Sequence, residues 1–128
     1  ELEENLVFLR PLGLRLLPET GWEFALMAFD GGVAVGICEV EFKQTGNNPV
    51  MRPRRLAYIN DICVDENARG RGIGRALYER ARAESQARDC DSIELMVWGF
   101  NENALKFYKA LGMDVRSYVM QDRLKLDD

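Results

Sequence analysis

The sequence predicts a mixed α/β domain whose sheet is partly parallel. Three features of the chain carry that prediction. Its first half holds a series of β-rich runs between Phe24 and Val64, separated by turns containing Gly, Asn and Pro. A glycine-rich turn at 70–74 then opens a segment with helical periodicity, and 75–88 contains neither Gly nor Pro. A strand-like run, a second helical segment and a final β-like stretch follow, and such alternation points to a layered α/β fold.

Taken in order, residues 5–9 are a short apolar run with the character of a first strand, and Pro11, Gly13 and Pro18 break the pattern after it. The apolar run 24–29 ends at the turn signal Asp30-Gly31-Gly32, and 33–42 resumes a β-rich pattern, so the pair reads as a hairpin. Residues 44–55 hold Gly, Asn and Pro and read as a loop. The run 56–64 is apolar on much of both faces, as a central strand is. Residues 75–88 are rich in Ala, Arg and Glu, all good helix formers. Ile73, Leu77 and Ala81 recur at helical spacing beside Ala76, Ala83 and Ala87, small residues that let a helix lie close to a sheet. Residues 92–98 alternate, with Ile93, Leu95 and Val97 on one face. Asn101 is a suitable N-cap for a helix carrying Ala104, Tyr108 and Leu111 on one stripe, and Gly112 suits its end. Residues 113–126 are expected to close the sheet as one or two strands.

At 128 residues the chain has the size of one domain, and 1–128 is expected to form a single one. Hydrophobic residues make up 47% and charged residues 30%, which excludes disordered and fibrous classes. No apolar run approaches the roughly 18 residues of a membrane span, and no basic-then-apolar leader opens the chain. A cytoplasmic protein with no membrane partner is the expectation. The net charge of −4 argues against a nucleic-acid partner. Arg52, Arg54, Arg55, Arg69, Arg71, Arg75, Arg80 and Arg82 nevertheless fall in one stretch, and local positive charge on an acidic protein suits a small anionic ligand. Histidine is absent, which removes Ser-His-Asp and Cys-His catalysis and most zinc sites. Cys38, Cys63 and Cys90 are spaced for neither a disulfide framework nor a metal, and are expected to be small buried hydrophobes.

The stretch Arg69-Gly70-Arg71-Gly72-Ile73-Gly74-Arg75 follows a strand and opens a helix. The first amides of a helix lack internal partners, and the helix dipole puts partial positive charge there. Glycines let the backbone come close to a ligand, and arginines add full charge. Together these describe a diphosphate site. The order differs from both the ATP-type P-loop and the dinucleotide fingerprint.

The spacing R-x-x-G-x-G, filled by Arg69, Gly72 and Gly74, resembles the acetyl-CoA signature of the GNAT superfamily of N-acetyltransferases. The strand before it, Tyr58-Ile59-Asn60-Asp61-Ile62-Cys63-Val64-Asp65, is similar to the family's fourth strand. The segment beginning Asn101-Glu102-Asn103-Ala104-Leu105-Lys106-Phe107-Tyr108 and ending Leu111-Gly112-Met113 resembles N-x-x-A-x-x-F-Y-x-x-x-G-F, with Met113 for the usual aromatic. The resemblance covers roughly 22–126. It implies a mostly antiparallel mixed sheet with a central, splayed parallel strand pair and flanking helices. It also implies acetyl-CoA as co-substrate, with no metal. Backbone amides of Arg71, Gly72, Ile73, Gly74 and Arg75 would cradle the diphosphate, with Arg69 and Gly70 also among the cofactor-binding residues. Ile62, Cys63 and Val64 would bind the pantetheine arm as an added strand, with Asn101 on its other side. Lys106 and Lys109 could reach the phosphates or simply be solvated.

Moving an acetyl group to an amine requires the ammonium to lose a proton, an oxyanion donor, and a proton for the departing thiolate. By resemblance, Tyr108 is the candidate acid, and the amide of Ile62 or Cys63 polarises the carbonyl. Asp61 is the candidate base and amine ligand, a carboxylate in an apolar strand whose burial would raise its pKa. Pairing with Arg54 or Arg55 is its other reading. Glu39 and Glu41 are second choices and substrate ligands, and Glu94 a third. Direct transfer in a ternary complex is expected in preference to an acyl-enzyme on Cys63.

The N-terminal part departs from the family, which has two helices after its first strand. Here they are expected to be short or missing, or else 2–17 is the tail of the second helical region in a partial chain. Three functions are carried forward: an acetyltransferase of small-molecule amines, one acting on a protein lysine or N-terminus, and a non-catalytic acyl-CoA-binding module. Family members are often dimers, so a homodimer is among the expected partners.

Overall fold

The computed structural model describes residues 12–16, 23–46, 49–50 and 52–125. The chain divides into a compact unit that runs to Met96 and a second that starts at Val97. The first holds a five-stranded sheet, its strands side by side in chain order. They are β1 (Leu12–Leu16), β2 (Glu23–Asp30), β3 (Val33–Thr45), β4 (Arg54–Val64) and β5 (Ser92–Glu94). A 3-10 turn (Glu66–Ala68) and α1 (Ile73–Ala87) lie between β4 and β5. β1 to β4 pair antiparallel, while β5 pairs parallel to β4.

Strand alternation builds one buried face. Phe24, Leu26 and Ala28 of β2 are buried, and in register Phe24 meets Val40 and Leu26 meets Cys38, both buried on β3. Ala57 and Ile59 continue that layer on β4. The turn between β2 and β3 is two glycines, Gly31 at φ 60° and Gly32 at φ 88°, the left-handed pair that a tight hairpin requires. Ile73, Ala76, Leu77, Tyr78, Ala81 and Ser85 are the buried stripe of α1, a spacing of three and four that marks one helix face. Ser85, polar and buried, donates its hydroxyl to the Ala81 carbonyl at 2.8 Å. Gly36 on β3 admits α1: a methyl group there would stand 3.0 Å from Leu77 Cδ1 and 3.2 Å from Ile73 Cγ2.

Two register shifts interrupt the ladders, between Ala28 and Phe29 on β2 and between Glu39 and Val40 on β3. The second leaves Asn60 as the extra residue of β4, because Glu39 faces Asp61 while Val40 faces Ile59. β4 and β5 pair only from Leu56 with Ser92 to Tyr58 with Glu94. β4 then runs on to Val64 beside β3 alone. The expected parallel pair is present, and among the described residues β5 is the edge strand of the sheet instead of a central one.

Several expectations are corrected. The strand expected at 92–98 stops at Glu94, where its pairing to β4 ends. Part of the expected loop 44–55 is strand, since β3 runs to Thr45 and β4 starts at Arg54. The helix begins at Ile73, because Gly72 at φ 78° already caps it. Leu12–Leu16 is a strand, its ladder with β2 outweighing the local break signal of Gly13, and this overturns the helical reading of 2–17 for those residues. The expected strand at 5–9 lies outside the described residues.

In the second unit, α2 (Glu102–Ala110) is capped by Asn101, whose Oδ1 accepts from the Ala104 amide at 3.1 Å. It ends in a Schellman motif: Gly112, at φ 100°, donates to the Lys109 carbonyl at 3.0 Å and Met113 to that of Tyr108 at 3.1 Å. Trp98 stacks on Phe100 at 6.2 Å. No strand forms over 113–125, contrary to expectation. Among the described residues of this unit there is no strand to supply the backbone partners that β structure needs.

A candidate anion loop beside an acidic sheet face

The end of β4 and the start of α1 form one tightly tied connection. The Asp65 amide donates to the Val35 carbonyl at 2.8 Å, and the Ala68 amide to the Asp65 carbonyl at 2.8 Å. Arg69 turns its Nε back to the Val64 carbonyl at 3.2 Å. Gly70 and Gly72 both lie in the left-handed region, at φ 82° and 78°, with Arg71 between them. Left-handed residues in a turn are a component of anion-binding backbone nests. No side chain caps the helix that follows, so the orphan amides of its first turn are open to an anion. A methyl group placed on Gly70 would meet nothing within 4 Å, so its neighbours leave room for a ligand.

The arginines do not form a free positive field. Arg71 pairs with Asp30 at 2.9 Å, Arg54 with Glu94 at 2.7 Å, Arg75 with Glu79 at 3.7 Å and Arg80 with Glu84 at 2.9 Å. Four of the eight arginines of that stretch are thus held in ion pairs, and Arg69 beside the loop bonds a neutral carbonyl.

The structure brings Asp61, Glu39 and Glu41 to the sheet face opposite α1. Glu39 and Asp61 are direct cross-strand partners, and Glu23 stands opposite Glu41. Asn60 donates its Nδ2 to Glu41 Oε1 at 3.2 Å. Like charges directly opposite one another repel, so the face favours a cation. Asp61 is exposed, which corrects the expectation that it is buried in its strand. Arg54 holds Glu94 and Ser92 instead of Asp61. Glu94, the third choice of base, is thus committed to an ion pair at 2.7 Å.

Cys38 is buried, as expected, and burial pushes its thiol up to about 12, with the charges of Asp61 and Glu39 adding to the shift. Cys63 is exposed, against the expectation of a buried hydrophobe, because β4 carries no β5 partner at that position. Among the described residues no three His, Cys, Asp or Glu side chains group for a metal. Among the same residues, no helix is long and apolar enough to cross a membrane.

The second unit carries Tyr108 and Asn101. Tyr108 is half-buried and meets Phe107 edge-on at 5.2 Å. Asn101 uses its Oδ1 as the helix cap. Lys106 and Lys109 are exposed. Sequence reasoning missed Asp30, read only as a turn residue, and the Asn60 bulge, for which no local signal existed.

Fold and loop together define an acyltransferase-like α/β domain, and comparison with known proteins gives the family. The chain belongs to the acetyltransferase (GNAT) family, whose model matches residues 6–113. It is 36% identical over 92 residues to an uncharacterized N-acetyltransferase of Methanocaldococcus jannaschii, covering 65% of this chain and 40% of that protein. It is 34% identical over 58 residues to the thialysine N-epsilon-acetyltransferase of Bos taurus, covering 45% of this chain and 34% of that protein. The crystal structure of a tetramutant Bacillus halodurans protein superposes with a TM-score of 0.78 at 36% identity, covering 83% of this chain and 69% of that one. The chain thus spans less than half the length of these two curated relatives.

Proposed function

We propose that the domain moves an acetyl group from acetyl-CoA to a primary amine by direct attack in a ternary complex, with a small-molecule amine as the favoured acceptor. The observation that carries the reading is the pair of left-handed glycines, Gly70 and Gly72, leading into a helix with no side-chain cap. That backbone suits a diphosphate, and the GNAT membership of the chain makes acetyl-CoA the diphosphate in question.

Acetyl-CoA supplies the thioester carbonyl. Residues Arg71 to Arg75 hold its diphosphate through their amides, with Arg69 and Gly70 shaping the loop before them. Ile62, Cys63 and Val64, on the stretch of β4 that β5 leaves, bind the pantetheine arm, as Asn101 does. The amide of Ile62 or Cys63 stabilises the oxyanion, the role of preorganised donors in acyl transfer. Asp61, with Glu39 and Glu41 beside it, binds the ammonium and takes its proton, directly or through water. Tyr108 gives a proton to the departing thiolate. The paired carboxylates of Glu39 and Asp61 favour a compact cation such as a polyamine, an aminoglycoside-like compound or an amino acid, and the thialysine acetyltransferase relative accords with that class. A protein lysine is the second reading, supported by the exposure of Glu39 and Asp61.

The test is thiol release from acetyl-CoA with a panel of polyamines, aminoglycosides, amino acids and a lysine peptide. Turnover is expected with small polycations first. Release with the peptide alone would select the second reading, and release with none would contradict the catalytic one.

A further inference from the structure

We infer that Asp30 is a positioning residue for the anion loop, holding the Gly70–Gly72 turn in its binding shape through the ion pair with Arg71. The inference rests on the acetyl-CoA reading of that loop. Arg71 stands between the two left-handed glycines, the residues of the connection with the widest choice of backbone conformation. Its guanidinium reaches back to Asp30 Oδ2 at 2.9 Å, across 41 residues of sequence. Asp30 is itself fixed: it ends β2, in register with Leu12 on one side and Val33 on the other. Arg69, on the other flank of Gly70, is tied to the Val64 carbonyl at 3.2 Å. Both arginines therefore staple the turn to the sheet, and the turn offers the anion its amides. The Arg71 guanidinium is a staple and not a phosphate ligand, while its amide stays with the loop.

Electrostatics gives the inference a sign that separates it from the alternative. A carboxylate near a polyanion repels it, so a bystander Asp30 would weaken CoA binding and its neutralisation would tighten it. A staple predicts the reverse. The experiment is calorimetric titration of CoA into the full chain, with S-acetyl-pantetheine, which lacks the diphosphate, as a competing probe. Asp30→Asn and Arg71→Ala are each expected to weaken CoA about two- to fivefold, the range of a partly exposed ion pair. The double variant should lose no more than either single one. Asp30→Glu should recover most of the affinity, and S-acetyl-pantetheine should bind all variants alike. Unchanged or tighter CoA binding by Asp30→Asn would overturn the inference, as would additive losses or an equal loss for S-acetyl-pantetheine. A wild-type chain that binds no CoA would overturn the acetyl-CoA reading itself, a result seen before any variant is made.

Discussion

At the residue scale, the proposed chemistry turns on Asp61 and Tyr108. Asp61 was legible as a candidate because it interrupts an apolar strand. Its environment was not, because exposure depends on what covers the sheet, and its cross-strand partner Glu39 depends on a bulge that no local pattern announces. Exposure leaves Asp61 open to solvent, as its proposed role of amine ligand and proton acceptor requires. Asp61→Asn is expected to lower kcat/KM for the best amine at least about tenfold while leaving acetyl-CoA affinity unchanged, the lower range of a lost acid–base group. Tyr108→Phe should lower kcat about a hundredfold with the same CoA affinity. Steady-state kinetics with calorimetry checks both, and full turnover by either variant removes that residue from the mechanism. Cys63 and Cys38 mark the same limit of sequence reading: both sit in apolar strand patterns, yet one ends exposed and the other buried.

At the scale of elements, α1 organises the first unit. Its close approach to β3 depends on Gly36, where a methyl group would meet Leu77 Cδ1 at 3.0 Å and the Cys63 carbonyl at 3.2 Å. Gly36→Ala is expected to destabilise the fold by about 1–3 kcal/mol, as overpacking does, and an unchanged melting temperature would mean that α1 simply shifts. At the far end of α1, Arg88 lies over the Phe24 ring at 4.8 Å and pairs with Glu84 at 2.7 Å. Glu84 also accepts from Arg80 at 2.9 Å, and these two arginine hydrogen bonds hold its carboxyl below the usual 4.5. A carboxylate whose folded pKa is lowered stabilises the fold above its unfolded value and loses that contribution as pH falls through the folded one. Glu84→Gln should therefore cost about 0.5–1 kcal/mol near neutral pH, the sum of two helical ion pairs. The cost should fade as pH drops below 4.5. A melting difference that persists unchanged at acid pH would contradict this. The hairpin, α1 and both caps of α2 were readable because turn glycines, helical spacing and Asn101 act within a few residues. The shortness of β5 and the course of 113–125 were not, because strand length is set by partners distant in sequence.

The whole molecule combines a loop whose backbone favours an anion with a sheet face whose carboxylates favour a cation. That pairing is what joining acetyl-CoA to an amine demands. Net charge of −4 gave no hint of it, since a sum over the chain does not say where the charges lie. Binding of acetyl-CoA by the glycine turn underlies all of the proposed chemistry. The most direct measurement is calorimetric titration of acetyl-CoA into the chain and into Gly72→Ala, with ATP as control. Binding with Kd on the order of micromolar is predicted for the chain. Gly72→Ala should weaken it about tenfold, because alanine at φ 78° costs about 1–2 kcal/mol. No heat from acetyl-CoA, or equal binding of ATP, would contradict the account.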